Sequence, residues 1–279
     1  MCFDYDAIPP EPPESCVPVE GKRVVLTSTD ATPFAAFEAM APEPSGAGVV
    51  ILPDIRGLFA YYERLAERFA GLGIDAVAID YFGRTAGLEP RGADFDFRAH
   101  VAQTTPETVA ADIEAAVDHL RRRNRVRGIV TVGFCFGGSY SFLQAANPRL
   151  VEPREEDGTD AGTARTGTTD TTTRSGLVGV IGFYGGMRPR VPGGPTPISE
   201  APKARVPVLG LFGGADSSIP PEQVEAFAAG LRQAGVEHTV HTYPGAPHSF
   251  FDRSHHDHTS ECADAWRRML AFIRRHTAA

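Results

Sequence analysis

One cysteine of this sequence stands in a glycine-rich segment that suits it to nucleophilic chemistry. Cys135 lies within Gly133-Phe134-Cys135-Phe136-Gly137-Gly138, between an apolar run and a stretch with helical spacing. A nucleophile with a glycine two positions away on either side, at a strand-to-helix turn, is typical of a nucleophile elbow. Side chains at the flanking glycines would crowd so sharp a turn, and a helix N-terminus favours the thiolate form of cysteine. The alternative is a buried structural cysteine in a glycine-rich turn.

An acid and a histidine follow Cys135 in the chain, each after an apolar run. Asp216 ends the segment Gly213-Gly214-Ala215-Asp216, and His248 lies in the loop 243–250 after the last predicted strand. His248 can accept a proton from Cys135 while Asp216 orients the imidazole ring. The order nucleophile, acid, histidine is that of the α/β-hydrolases. We therefore expect Cys135, Asp216 and His248 to form a catalytic triad.

With these motifs the sequence resembles the dienelactone hydrolase family, whose carboxymethylenebutenolidase-like members belong to the α/β-hydrolase superfamily. The matching segments are 133–138, 213–216, 247–250, Leu52-Pro53-Asp54-Ile55-Arg56-Gly57 and Asp80-Tyr81-Phe82. The resemblance implies that Cys135 is the nucleophile, His248 the base and Asp216 its orienting acid. It also implies that the backbone amides of Phe136 and Ile55 form the oxyanion hole.

Two positions depart from the family pattern. Where the family has a glutamate that holds and activates the resting thiol, this chain has Asp54, which is shorter by one methylene. Asp54 is expected either to tune the ionisation of Cys135 or only to structure its loop. The family binds the carboxylate of its substrate with arginines, one of them shortly after the catalytic histidine. Here Asp252 lies near that position and Arg253 follows it, and Arg98 is a second candidate for substrate binding.

The elements that must position these residues follow from the hydrophobic pattern. The predicted strands are Val24 to Thr27, Phe34 to Ala39, Val49 to Leu52, Ala76 to Ile79, Ile129 to Val132, Leu177 to Phe183, Val206 to Phe212 and Thr239 to Tyr243. The predicted helices are Tyr61 to Leu72, Pro106 to Arg123, Gly137 to Ala146, Pro221 to Ala234 and Ser260 to His276. The first two strands form a predicted hairpin, and the remaining alternation predicts an α/β-hydrolase fold, a mostly parallel sheet with helices on both faces. Ligands of such sheets bind beyond the carboxyl ends of the strands.

Composition limits the organisation and the partners of the chain. Its 279 residues predict an extended N-terminal arm over 1–20 and one hydrolase domain over 21–279. An insertion at 151–176 has eight threonines, six acids and few large apolar side chains, which predicts a mobile surface segment. A net charge of −8 without a basic patch argues against a nucleic-acid partner. Without an apolar run long enough for a membrane span or a signal peptide, a cytoplasmic protein is expected.

The predicted activity is hydrolysis of an ester or lactone through a cysteine thioester, with a small-molecule substrate and no cofactor or metal. The irregular spacing of His255, His256, His258 and Cys262 favours a solvated loop over a zinc site. The alternatives are a general carboxylesterase for small neutral esters and a non-catalytic, redox-sensing thiol protein. A monomer or a small homo-oligomer is expected.

Overall fold

The computed structural model describes residues 7–123, 125–151 and 176–278, which form an eight-stranded sheet flanked by helices. The strands are β1 (Lys22–Thr27), β2 (Pro33–Ala39), β3 (Ala47–Leu52), β4 (Asp75–Ile79), β5 (Gly128–Phe134), β6 (Leu177–Phe183), β7 (Val208–Gly213) and β8 (His238–Tyr243). The helices are α1 (Ala60–Gly71), α2 (Gly83–Ala86), α3 (Phe97–Val101), α4 (Pro106–Arg121), α5 (Phe136–Gln144), α6 (Pro197–Glu200), α7 (Pro221–Ala234) and α8 (Thr259–Thr277). A short 3-10 turn, Ala201–Lys203, follows α6.

The strands lie in the order β1-β2-β4-β3-β5-β6-β7-β8. β1 pairs antiparallel with β2, as the hairpin prediction required, and β2 pairs antiparallel with β4. All the other pairs are parallel. Every residue of β3, β4, β5 and β7 is buried, which explains why their sequences are continuous apolar runs and do not alternate. The predicted α/β-hydrolase fold is confirmed.

Helices cover both faces of the sheet. On one face α1 packs against α8, with the rings of Phe69 and Trp266 5.2 Å apart. On the other face α4, α5 and α7 lie side by side, and the rings of Phe142 and Phe227 join α5 to α7 at 4.6 Å. Helix α4 begins at a capping box, in which the Thr105 side chain accepts a hydrogen bond from the Thr108 amide. The two helix layers bury the sheet and leave its strand ends accessible.

The part of the arm that the structure describes packs against the first and last helices. The indole Nε1 of Trp266 in α8 donates to the carbonyl of Pro10 at 2.9 Å, and the Val17 amide donates to the carbonyl of Gly71 at 3.1 Å. Arg274 forms an ion pair with Glu14 at 2.6 Å on the protein surface. Residues 7–21 contain no helix or strand. The two contacts with α8 join residues that are more than 250 positions apart in the chain.

Several element ends differ from the predicted ones. β5 continues to Phe134, so Cys135 comes directly after the strand, and α4 ends at Arg121 instead of Arg123. The sequence analysis missed α2, α3 and α6, because helices of four or five residues are too short to show a hydrophobic period. The threonine-rich insertion lies outside the described residues except for Val151 and Gly176. None of the described helices is long and apolar enough to cross a bilayer.

Candidate active site

The turn between β5 and α5 holds Cys135 in a strained backbone conformation. Its φ is 52° and its ψ −106°, in a region that non-glycine residues rarely adopt. The Cys135 amide donates to the carbonyl of Phe183 at 3.0 Å, and the Cys135 carbonyl accepts from the Ser139 amide at 3.1 Å. Hydrogen bonds thus restrain the backbone on both sides of the turn. The cysteine itself is half-buried at the N-terminus of a nine-residue helix.

The two glycines of the motif are required by close backbone contacts. A Cβ atom at Gly133 would lie 2.0 Å from the carbonyl oxygen of Gly137. A Cβ atom at Gly137 would lie 2.1 Å from the carbonyl oxygen of Leu52, on the neighbouring strand β3. Since both clashes are with backbone atoms, no side-chain movement can relieve them. The geometry is that of a nucleophile elbow, and it agrees with the prediction from the glycine spacing.

His248 and Asp216 meet beside this turn. Nδ1 of His248 lies 2.6 Å from Oδ2 of Asp216, whose side chain is almost completely buried. The other carboxylate oxygen accepts from the Ser218 amide at 2.9 Å and from its hydroxyl. Burial raises the pKa of Asp216, but the hydrogen bonds from His248 and Ser218 outweigh it and hold the pKa below its ordinary value. Asp216 is therefore ionised at neutral pH and fixes one nitrogen of the imidazole.

The Cys135 side chain lies close enough to His248 to act on the ionisation of the imidazole. Burial lowers the pKa of His248, but the hydrogen bond to Asp216 and the interaction with Cys135 raise it to about 10. Because Nδ1 is engaged by Asp216, Nε2 is the nitrogen available to the thiol. A histidine with this pKa holds its proton at neutral pH, which is the state required to stabilise a neighbouring thiolate. The three predicted triad residues thus lie in one continuous chain of side chains.

Two backbone amides near Cys135 have no hydrogen-bond acceptor within the described residues. They belong to Phe136, the first residue of α5, and to Ile55, in the loop after β3. The Gly137 amide donates to the carbonyl of Pro53 at 3.1 Å and so attaches the Ile55 loop to the elbow. Free amides beside a nucleophile are the groups that stabilise a developing oxyanion. The oxyanion-hole role of Phe136 and Ile55 stays a prediction.

Asp54, in the same loop, is fully buried and is paired with Arg56. Its Oδ1 accepts from the Arg56 amide at 2.9 Å, and its Oδ2 accepts from the Arg56 guanidinium at 3.2 Å. No hydrogen bond joins the Asp54 carboxylate to Cys135 in the described structure. The pairing with Arg56 fixes the bend that presents the Ile55 amide. The effect of Asp54 on the thiol stays a prediction.

The two arginines predicted to bind substrate are both exposed. Arg98 in α3 stacks on Phe97, 5.6 Å from the ring centroid, and Arg253 contributes only its amide, which donates to Asp252. Neither side chain forms a hydrogen bond or ion pair with the triad within the described residues. A third arginine lies closer, since the guanidinium carbon of Arg190 is 5.0 Å from the centroid of the Phe136 ring. No sequence motif marks Arg190, which comes from the irregular loop after β6.

Sequence analysis missed a buried tyrosine beside His248, and it considered Asp252 only as an acidic neighbour of Arg253. The Tyr184 ring lies 5.0 Å from the imidazole, centroid to centroid, and its hydroxyl donates to Oδ2 of Asp252 at 2.8 Å. The sequence did contain one indication of Tyr184, which is its position at the carboxyl end of β6. The predicted triad residues follow β5, β7 and β8, so a residue after β6 lies at the same edge of the sheet. Among the described residues, no group of three or more His, Cys, Asp or Glu side chains is arranged to bind a metal. Cys262 is buried and donates to the carbonyl of Phe250.

Comparison with proteins of known structure supports the fold. An acylaminoacyl peptidase from Pyrococcus horikoshii superposes with a TM-score of 0.67 at 14% identity, covering 94% of this chain and 42% of that protein. A dienelactone hydrolase-like promiscuous phosphotriesterase from metagenomic libraries has a TM-score of 0.64 at 21% identity, covering 92% of this chain and 99% of the other. The parallel sheet and the elbow at its carboxyl edge define an α/β-hydrolase.

The family within this fold follows from the sequence comparison. The model of the dienelactone hydrolase family matches residues 34–153 and 168–277. A carboxymethylenebutenolidase from Rhodococcus opacus is 27% identical over 279 residues, which cover 99% of this chain and 97% of that protein. This chain belongs to the dienelactone hydrolase family. The resemblance stated from the sequence motifs is confirmed, and so is the expected class of enzyme, a hydrolase of the dienelactone hydrolase type.

Proposed function

We propose that this enzyme hydrolyses a carboxylic ester or lactone through a thioester formed on Cys135. The observation that carries the proposal is the continuous contact from Cys135 through His248 to Asp216, with Nδ1 of His248 2.6 Å from the carboxylate. Family membership supplies the class of substrate, and the Rhodococcus opacus relative is named for a lactone substrate of this class. Each triad residue then has one task in the reaction.

In the first half of the reaction, the Cys135 thiolate attacks the carbonyl carbon of the substrate. The carbonyl oxygen becomes negative as the carbon–sulfur bond forms, and the amides of Phe136 and Ile55 donate hydrogen bonds to it. Collapse of this intermediate breaks the carbon–oxygen bond of the ester. The departing alkoxide takes the proton from Nε2 of His248, which is supplied by the imidazolium state of the resting enzyme. For a lactone, the alcohol remains part of the same molecule.

In the second half, water releases the acid. Neutral His248 removes a proton from a water molecule, and the hydroxide oxygen attacks the thioester carbonyl. The same two amides stabilise the second oxyanion. The carbon–sulfur bond then breaks, which leaves the thiolate and the imidazolium as they were at the start. Asp216 stays ionised throughout and keeps Nδ1 as a donor, so Nε2 faces the reacting atoms in both halves.

A general carboxylesterase for small neutral esters is the second candidate. The exposure of Arg98 and Arg253 favours it, because neither arginine lies against the triad to bind a substrate carboxylate. A redox-sensing thiol is supported less well, because oxidation of Cys135 would require neither an ionised Asp216 nor an imidazole held by it. The two hydrolase candidates share one mechanism and differ in the charge of the preferred substrate.

The test is a substrate panel assayed with the wild type and with Cys135→Ala. Dienelactones and neutral p-nitrophenyl esters are the substrates, and intact-protein mass spectrometry after a rapid quench detects the acyl adduct. We expect turnover and adduct in the wild type and neither in Cys135→Ala. The matched control is Cys16→Ala, a half-buried cysteine far from the elbow, which is expected to retain both.

Thiol labelling gives an independent check. Burial raises the pKa of the Cys262 thiol to about 12 and also raises that of Cys16, so both react slowly as thiolates. Iodoacetamide is therefore expected to alkylate Cys135 first, with loss of activity in step with labelling. Retention of most ester turnover by a folded Cys135→Ala variant would refute the mechanism, whichever substrate the enzyme prefers.

A further inference from the structure

Tyr184 lies against the catalytic imidazole in a backbone conformation that tyrosine rarely adopts. Its φ is 37°, and its amide donates to the carbonyl of Leu211 at 2.8 Å. The side chain is fully buried, and its ring lies 5.0 Å from that of His248 with an interplanar angle of 56°. A non-glycine residue stays in the left-handed region only where its surroundings over-determine it. The surroundings of Tyr184 thus hold its ring beside the imidazole.

Asp252 holds the other end of this ring. Its buried carboxyl accepts the Tyr184 hydroxyl at 2.8 Å and the amide of Arg253. Asp252 stands in the turn directly after His248, where its own amide donates to the carbonyl of Ser249 at 3.2 Å. Ser249 has a φ of 62°, so the loop doubles back after His248. The segment that carries the imidazole therefore also carries the acceptor for the tyrosine that packs on it.

We propose that Tyr184 and Asp252 form a positioning pair that fixes the plane of the His248 ring, so that Nε2 faces Cys135 while Nδ1 faces Asp216. The inference rests on the proposed function. Asp216 and Cys135 contact the imidazole at opposite nitrogens, and neither contact restrains rotation of the ring plane about the line that joins them. The Tyr184 ring packs against the imidazole and removes this freedom. The hydrogen bond to Asp252 keeps the phenol ring in place.

The groups around Asp252 indicate whether its carboxyl is charged or neutral when it accepts the hydrogen bond from Tyr184. Ionisable groups from several elements face Asp252. They are Asp54 in the loop after β3, Tyr61 in α1, Cys135 in the elbow, Tyr184 at the end of β6, His255 in the same loop as Asp252, and Cys262 in α8. Burial and the charge of Asp54 raise the pKa of Asp252 to about 8, so the carboxyl is neutral at neutral pH. A neutral acceptor can hold the phenol without opposing the thiolate of Cys135.

The main test uses three variants. Tyr184→Phe keeps the ring and removes its anchor, Asp252→Leu removes the acceptor, and Asp252→Asn is the conservative replacement for a neutral carboxyl. We expect Tyr184→Phe and Asp252→Leu to lower kcat by about 10- to 100-fold with KM little changed, as for a misaligned catalytic group. Asp252→Asn should recover most of the turnover that Asp252→Leu loses. The Tyr184→Phe, Asp252→Asn double variant should lose no more turnover than Tyr184→Phe alone, because both substitutions act on the same hydrogen bond.

A second measurement reports the charge of Asp252 without any substrate. It is the ratio of the Cys135 alkylation rate with iodoacetate to that with iodoacetamide, as a function of pH. In the wild type this ratio should fall above about pH 8, because ionised Asp252 repels the anionic reagent. In Asp252→Asn it should stay flat up to about pH 9, and only the later fall, as His248 loses its charge near its pKa of about 10, should remain. The measurement needs only the folded resting enzyme, so it applies even where Tyr184→Phe fails to fold.

Two results would overturn the inference. One is a Tyr184→Phe variant whose kcat equals that of the wild type while only its melting temperature falls, since the pair is then merely structural. The other is an alkylation ratio that Asp252→Asn already raises at pH 7, since the carboxyl is then charged at rest. Failure of the proposed function gives a different pattern, in which Cys135→Ala retains turnover and the Tyr184 variants have nothing to misalign.

Discussion

Asp216→Asn is the sharpest test of the triad, because it changes the charge of one buried group and almost none of its volume. In the wild type the Asp216 carboxylate lies 2.6 Å from Nδ1 of His248 and, with Cys135, raises the pKa of the imidazole to about 10. Without the carboxylate this pKa falls toward the ordinary value of 6.5. The neutral imidazole is then free to take the wrong tautomer, a change that costs about 10⁴-fold in kcat in a Ser-His-Asp triad.

The assay for this variant combines p-nitrophenyl ester turnover with the pH dependence of Cys135 alkylation. We expect kcat to fall by about 10⁴-fold. The alkylation profile should move to higher pH, because the thiolate loses its cationic partner once His248 is neutral. Glu225→Gln, which breaks an exposed ion pair with Arg232, controls for the loss of one negative charge. A folded Asp216→Asn variant with kcat within about tenfold of the wild type would show that the reasoning about the triad is wrong.

Three further outcomes follow from contacts around the elbow. Asp54→Asn removes the negative charge that pairs with the buried Arg56 and should lower the free energy of unfolding by about 1–3 kcal/mol, measured by urea denaturation. A loss below about 0.5 kcal/mol would contradict the importance of the pairing. In Gly137→Ala the new Cβ atom would lie 2.1 Å from the carbonyl oxygen of Leu52, so this substitution should abolish esterase activity. A folded Gly137→Ala variant that is active would contradict this geometry. Arg190, whose guanidinium lies against the Phe136 ring, is the arginine that we expect to bind a substrate carboxylate. Arg190→Gln should therefore raise KM about tenfold or more for esters that carry a carboxylate but not for neutral esters, because a charged hydrogen bond contributes about 1.5–3 kcal/mol. An equal effect from Arg253→Gln would contradict this expectation.

The sequence was sufficient to predict the fold and to bring Cys135, Asp216 and His248 to one place, because both depend on patterns along the chain. Buried parallel strands are continuous apolar runs, so β3 to β7 were located to within about two residues at each end. The edge strand β8, which is largely not buried, was located equally well from its β-branched and aromatic residues. Cys135, Asp216 and His248 each come shortly after such a run, and parallel strands bring their carboxyl ends to one edge of a sheet. The glycines around Cys135 marked its turn, since only glycine fits against the neighbouring backbone.

The contacts of the individual charged side chains were not predictable in the same way. Whether Asp54 faces Cys135 or pairs with Arg56 depends on side-chain packing in the folded loop, and spacing carries no signal for it. Asp252 was taken only as an acidic neighbour of Arg253, because nothing in the sequence shows that its carboxyl is buried against Tyr184. Arg190 comes from a loop without periodicity, and its approach to the Phe136 ring is a tertiary contact.

The hydrogen bond from Trp266 to the carbonyl of Pro10 sets a limit on how the chain folds during its synthesis. The arm around Pro10 has no indole to dock on until the ribosome has made α8, 256 positions later. Until then, the apolar surface around Phe69 lacks the indole that covers it in the folded protein. The elbow residues around Cys135 emerge long before His248, so the nascent chain carries its cysteine without the base. The contact between Cys135 and His248 therefore forms only after the segment that follows β8 has been made.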